Sequence, residues 1–192
     1  RKVNQMKYIA EFNDKKIVNV LLDKLNKIKI NKKINFMEVC GTHTMSIFSQ
    51  GLKNLVPEKI NFIAGPGCPV CVTPTEYIDK AVLLAKREEI IITTFADLLR
   101  VPGNESSLQE EMARGSDIRL VYSPLDSLKV AQNNPHKEVV FLAVGFETTL
   151  PIIALCVKKA VEQNLNNFSL LQAMKAMPPV IESLLVDDDV DI

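Results

Sequence analysis

Tryptophan is absent from this sequence of 192 residues, and aromatic residues make up only 6% of it. Acidic and basic side chains balance at 23 each, and no long run of lysine or arginine occurs. Proteins that bind a phosphate backbone do so through clustered lysine and arginine, so this balance argues against nucleic acid as a partner. The lysines near the amino terminus are better interpreted as the solvated face of a helix.

Long apolar runs are also missing. None approaches the roughly 20 residues that cross a bilayer, and no signal peptide precedes the first helical pattern. We therefore expect no membrane partner and a cytoplasmic location. Cysteine is scarce, at four residues. In a reducing compartment such cysteines are more often metal ligands, catalytic groups or buried side chains than members of disulfides.

Short apolar runs alternate with helical patterns along the chain. The runs predict buried parallel strands at 34–39, 60–64, 90–94, 118–122, 139–144 and 168–171. This alternation predicts an α/β fold with parallel, Rossmann-like sheets flanked by helices. The polar turn "NNPHK" suggests a first α/β domain at 1–122 and a partial second one at 123–192. Because the chain stops just after "LLVDDDVDI", we expect a fragment of a longer protein.

Three unusual segments each follow a predicted strand. They are "CGTHTM" from Cys40, "GPGCPVC" from Gly65 and "GFETT" from Gly145. In open α/β sheets, ligands bind outside the carboxyl ends of the strands. The three segments are therefore predicted to form the functional site.

The segment "GPGCPVC" has a spacing close to a dinucleotide-binding loop. Such loops bind phosphate through free backbone N–H groups at a helix start. Pro66 and Pro69 each remove one of those groups, which argues against nucleotide binding.

Two interpretations of the cysteines remain open on the residues alone. Cys40, His43, Cys68 and Cys71 offer the four ligands of a Cys3His zinc site, which would make the chain a structural zinc-binding α/β module. Alternatively, Cys68 and Cys71 form a C-x-x-C redox pair ahead of a helix that starts near Pro74, as in a thiol–disulfide oxidoreductase. Cys40 itself is suited to bind a soft metal or act as a nucleophile, with His43 as base, hydrogen-bond donor or second ligand.

The remaining candidates have simple structural explanations as well. Cys156 lies within the apolar pattern "PIIALCVKKAV" and is predicted to be a core residue. Glu147 is either a functional carboxylate or a first-turn acid that the helix dipole favours. Thr148 and Thr149 are either site residues or caps of the same helix.

Taken together, the segments resemble the HypD family of nickel–iron hydrogenase maturation proteins. The matching stretches are "MEVCGTHTMSIF", "GPGCPVCVTP", "TFADLLRVPG" and "AVGFETTLP", in that order between Met37 and Pro151, and "NFSLL…PP" extends the likeness to Pro179. No single stretch is specific, but four in this order are. The match covers the amino-terminal part of the family.

The resemblance implies a scaffold, or metallochaperone, with two α/β domains facing a cleft. With a small HypC-type partner it holds iron while cyanide and carbon monoxide are attached. A HypE-type partner donates the cyanide, and the hydrogenase large-subunit precursor finally receives the iron unit. The full-length family also carries an iron–sulfur cluster, whose ligands are absent from these residues.

The resemblance also implies roles for individual residues. Cys40 is expected to hold the iron, with His43 as a second ligand or an acid–base group. Cys68 and Cys71 are expected to act as a thiol redox pair, and Glu147 is placed with them as a catalytic residue. The positions expected to contact the iron unit are Gly41, Thr42, Gly145, Thr148 and Thr149.

Overall fold

The computed structural model describes residues 14–187. The chain forms two compact units. Among the described residues, the first comprises 14–67 together with 184–187, and the second comprises Cys68–Ser183. The domain division predicted from the sequence, 1–122 and 123–192, stays a prediction. The compact units divide elsewhere, between Gly67 and Cys68.

The first unit is built around a two-stranded parallel sheet. Its elements are α1 (Lys15–Asn26), β1 (Ile34–Glu38), α2 (Gly41–Ser49) and β2 (Ile60–Ala64). Ile34 pairs with Ile60 at one end of the sheet and Glu38 with Ala64 at the other. Between them the rings of Phe36 and Phe62 lie 6.3 Å apart. This register places the carboxyl end of β1 beside the loop that follows β2.

The second unit contains a four-stranded, fully parallel sheet in the order β4-β3-β5-β6. From Cys68 onward the elements are α3 (Thr75–Ala85), β3 (Ile90–Thr94), α4 (Leu108–Ala113), β4 (Ile118–Leu120), α5 (Pro124–Asn133), β5 (Glu138–Gly145), α6 (Leu150–Glu162), β6 (Phe168–Met174) and α7 (Pro178–Leu185). Each strand predicted from the apolar runs is present, with ends shifted by no more than a few residues. Helix α3 was predicted to start near Pro74. It begins at Thr75, and Pro74 is its N-cap residue.

Both faces of this sheet are covered by helices. On β5, Val140 and Leu142 join a cluster with α3 and α4, while Phe141 and Ala143 point to the other face and join Ile153 of α6. Successive side chains of a strand point to opposite faces, so a strand buried on both sides must be apolar throughout. This burial on both faces explains why the central strands appear in the sequence as continuous apolar runs. The α/β fold with parallel sheets flanked by helices is confirmed.

Helix length and composition also bear on membranes. Among residues 14–187, no helix is both long enough and apolar enough to span a bilayer.

Candidate metal site and cysteine pair

Cys40 occupies the junction between β1 and α2. Its backbone is extended, with φ −137° and ψ 119°, and it is the N-cap residue of α2. The Thr44 N–H donates to the Cys40 carbonyl at 2.9 Å and so begins the helix. Cys40 is partly exposed and is a free thiol. The sequence prediction that this cysteine follows a strand and precedes a helix is confirmed.

His43 is the third residue of α2, and this position brings it back to Cys40. Residues at the N-cap and N3 positions of a helix face each other, which is the geometry that capping boxes use. The sulfur of Cys40 and a ring nitrogen of His43 accordingly lie within 4.8 Å of each other. The His43 side chain is 70% exposed, so an incoming ion can reach it.

Sequence reasoning missed a third donor, Glu38. Its Oε1 lies 3.4 Å from His43 Nδ1, and all three donor atoms lie within 4.8 Å of one another. The signal was present, because residues two apart in extended backbone point to the same side. Glu38, the last residue of β1, therefore shares a side with Cys40. A thiolate, an imidazole and a carboxylate grouped in this way can bind ferrous iron as well as other divalent metals.

Gly67, in the loop after β2, holds the backbone of Cys40 in place. The Gly41 N–H donates to the Gly67 carbonyl at 3.3 Å. A Cβ atom added to Gly67 would overlap the backbone of Val39 and Cys40, so the two segments pack without room for a side chain. This contact explains why glycine is needed here, although sequence reasoning had considered it only as part of a phosphate loop.

Gly41 and Thr42 lie between the two candidate ligands. Gly41 is the first residue of α2 and Thr42 the second, where the Thr42 side chain is exposed. Their expected contact with the iron unit stays a prediction.

Cys68 and Cys71 are joined by a disulfide, with their Cα atoms 5.2 Å apart. The Cys71 N–H points at the Cys68 sulfur at 3.1 Å, and the Thr73 hydroxyl donates to the Pro69 carbonyl at 2.8 Å. These bonds close a compact turn ahead of α3. The Cys3His zinc interpretation requires both sulfurs to be thiolate ligands. In this structure they are bonded to each other instead.

Cys156 is a core residue, as predicted. It is fully buried in α6, and its thiol donates to the Pro124 carbonyl at 3.2 Å. Burial raises its pKa to about 11, which keeps the thiol neutral at physiological pH. An iron–sulfur cluster usually takes four cysteine thiolates. With Cys156 buried and Cys68 bonded to Cys71, the four cysteines of this sequence do not fit such a cluster.

The "GFETT" segment follows β5 and carries mainly structural contacts. The Glu147 carboxylate accepts a 2.8 Å hydrogen bond from the Met177 N–H, so it ties the loop after β5 to the loop after β6. A Cβ on Gly145 would overlap the Thr149 side chain, which packs against it. Thr149 is the N-cap residue of α6 without a side-chain capping bond, and Thr148 is exposed. The functional roles assigned to these residues stay predictions.

Comparison with known proteins agrees with the motif pattern. The family model that matches is HypD, described as a hydrogenase formation hypA family, and it covers residues 16–192. The hydrogenase maturation factor HypD of Rhodobacter capsulatus is 44% identical over 95% of this chain. The chain belongs to the HypD family.

Further members of the HypD family show similar levels of likeness. The hydrogenase maturation factor HypD of Escherichia coli K12 is 42% identical over 96% of this chain. A putative hydrogenase expression/formation protein of Methanocaldococcus jannaschii is 42% identical over 92% of it. The alignments cover 50%, 51% and 49% of the three relatives, so the chain spans about half the length of the curated relatives it matches.

Proposed function

We propose that this chain is the iron-holding part of a scaffold on which the iron–dicyanide–carbonyl unit of nickel–iron hydrogenase is assembled. The main support for this proposal is the free Cys40 thiol just after β1, whose sulfur lies within 4.8 Å of a ring nitrogen of His43. Membership of the HypD family supplies the context of hydrogenase maturation. The iron is cargo in this proposal, since it is delivered onward.

The chemistry of Cys40 suits this cargo. Cyanide and carbon monoxide bind low-spin iron, and a soft thiolate is a fitting partner ligand for such a centre. The N-terminal end of α2 carries partial positive charge and favours an anionic donor at the Cys40 position. In the proposal, a HypC-type partner shares the iron through a ligand of its own, and separation of the two proteins releases the finished unit. A HypE-type partner supplies cyanide, and the hydrogenase large-subunit precursor receives the product.

Infrared spectroscopy of the complex tests this proposal. The chain, co-purified anaerobically with a HypC-type partner from cells that make the cyanide donor, is expected to show cyanide and carbonyl stretching bands of an iron complex. The variant Cys40→Ala is expected to lose them completely, because the remaining donors cannot replace the thiolate. Cys156→Ala, a change at a buried thiol in the other unit, serves as the matched control and is expected to keep them. Bands of full intensity in Cys40→Ala would contradict the assignment.

A second function, thiol–disulfide exchange, is favoured by the Cys68–Cys71 bond. The Cys68–Cys71 disulfide can accept two electrons and two protons to become a dithiol, and the dithiol can give them back, so within the scaffold the pair would accept or supply electrons during ligand attachment. As a separate activity, the same pair would act on other proteins. The scaffold proposal includes only the redox role during ligand attachment, and not a separate activity on other proteins.

We expect the Cys68–Cys71 pair to cycle between disulfide and dithiol in the free chain. After equilibration at a series of potentials, alkylation should add two more groups to the reduced chain than to the oxidised one. Cys156 provides the internal control, since its buried thiol should stay unlabelled in the folded chain. A Cys68–Cys71 pair that stays reduced under mild oxidant would remove both redox roles.

A further inference from the structure

Resting on the proposed function, we propose that Glu38 is the oxygen ligand that holds the incoming ferrous ion together with Cys40 and His43. No role was expected for this residue from the sequence. The three side chains would form one face of the coordination sphere, with nitrogen, oxygen and sulfur donors.

The first argument is the spacing of the donors. Glu38 Oε1 and His43 Nδ1 lie 3.4 Å apart. Two nitrogen or oxygen ligands at about 2.1 Å from a tetrahedral metal are themselves about 3.4 Å apart. The distance is also longer than a good N–H···O hydrogen bond. The two atoms are therefore close enough for one ion to bind both, and the Cys40 sulfur lies within 4.8 Å of each of them.

The second argument is that the Glu38 carboxylate is paired with no permanent cation, lysine or arginine, among residues 14–187. Its side chain is 27% exposed. Within residues 14–187, no lysine or arginine lies within 4.0 Å of it, and His43 is its one ion-pair partner. A carboxylate and a thiolate, which is the form of Cys40 that binds metal, repel each other unless a positive charge joins them. A divalent cation bound at this point would supply that charge.

The third argument is local backbone geometry, which brings these three residues close together. Glu38 and Cys40 are two apart in extended backbone and share a side. His43 is at N3 of α2 and faces the N-cap. The Gly67 contact with the Cys40 backbone fixes the junction between them. The donors are thus preorganised by the strand end and the first helical turn, rather than gathered by long flexible loops.

The fourth argument concerns the metal. Ferrous iron arrives hydrated, and before cyanide is attached it prefers oxygen and imidazole donors as well as sulfur. Imidazole and carboxylate together are the common ligands of non-haem ferrous sites. A carboxylate beside Cys40 therefore suits the ion at loading better than a thiolate and imidazole alone.

The test measures metal binding to the 192-residue chain without partner proteins. Ferrous iron is titrated anaerobically against a competing chelator, and cobalt(II) serves as an optical probe whose thiolate charge-transfer band reports the Cys40 bond. The variant Glu38→Gln is expected to lower the affinity for both metals by at least about 10-fold. Even the loss of a residue that only hydrogen-bonds to a metal ligand lowers affinity by about 10-fold to 100-fold. At saturating cobalt its charge-transfer band should remain. Glu58→Gln, which neutralises an exposed acid of the same unit, is the matched control and should bind as the parent does.

A rescue variant separates a ligand from a group that merely orients His43. Glu38→His replaces the oxygen donor by a nitrogen donor and should restore most of the lost affinity if position 38 ligates the metal. Two results would overturn the inference: Glu38→Gln binding as tightly as Glu58→Gln, or Glu38→His binding no better than Glu38→Gln. Failure of the proposed function looks different. If Cys40→Ala kept the charge-transfer band while Glu38→Gln lost affinity, Glu38 would stand as a ligand and the Cys40 assignment would fall.

Discussion

Replacing Gly67 by alanine is expected to abolish iron binding at Cys40 and to destabilise the first unit. The added methyl group would overlap backbone atoms of Val39 and Cys40, which cannot move aside as a flexible side chain can. The loop after β2 must shift, and the 3.3 Å hydrogen bond from Gly41 to Gly67 is lost with it. Overpacking of this kind costs about 1–3 kcal/mol of unfolding free energy. Denaturant unfolding and cobalt titration measure the two effects.

Gly65→Ala provides the control for Gly67→Ala, because it lies in the same loop. Its added methyl group would meet chiefly the Met37 side chain, which can change rotamer. We therefore expect a smaller loss of stability and retained metal binding. Equal behaviour of the two variants, or normal cobalt binding by a folded Gly67→Ala chain, would show that the Gly67 contact does not position Cys40.

Replacing Asn167 by aspartate is expected to destabilise the second unit. The Asn167 Nδ2 group shares its two N–H donors among the carbonyls of Ala131, Asn134 and Lys137 at 3.0–3.1 Å, and so connects the end of α5 to the start of β6. Aspartate would place a negative charge against three acceptor oxygens. Leaving a buried acceptor without its donor costs about 1–3 kcal/mol, and because these three bonds are partly buried we expect a loss of about 2 kcal/mol.

The control for this substitution is Asn133→Asp. Asn133 is exposed at the end of α5, so the variant introduces the same charge near the same helix end without breaking the three bonds. We expect a change of no more than about 1 kcal/mol there, the usual size of a helix-dipole effect. Chemical denaturation of both variants, followed by circular dichroism, gives the comparison. A loss in Asn167→Asp that is no larger than the control's would show that the three bonds contribute little.

The central strands β3 and β5 could be predicted from the sequence because they are buried on both faces. A strand such as β5 must then be apolar at every position, and the run "VVFLAV" shows this directly. Contacts such as those of Asn167 could not be predicted in this way. Its three acceptors are 30 to 36 residues away in the chain, and an asparagine in a polar turn carries no sign of which carbonyls it will meet.

The candidate site was predicted in part. The places of Cys40 and His43 follow from the junction of a strand and a helix, which the pattern of apolar residues reveals. Glu38 was missed because it ends a strand, where a lone carboxylate usually signals only a solvated edge. The state of Cys68 and Cys71 could not be chosen from spacing, since C-x-x-C serves metal and redox chemistry alike. For Glu147, only the structure shows the hydrogen bond from Met177, because the two loops are joined by folding and not by sequence.

The central claim is that iron is bonded to the Cys40 sulfur. X-ray absorption at the iron edge, recorded on the anaerobic chain with its HypC-type partner, measures that bond. The account predicts sulfur scattering in the parent complex, retained in Cys156→Ala, and one sulfur fewer per iron in any iron that still binds to Cys40→Ala. The same sulfur scattering in Cys40→Ala as in the parent would contradict it.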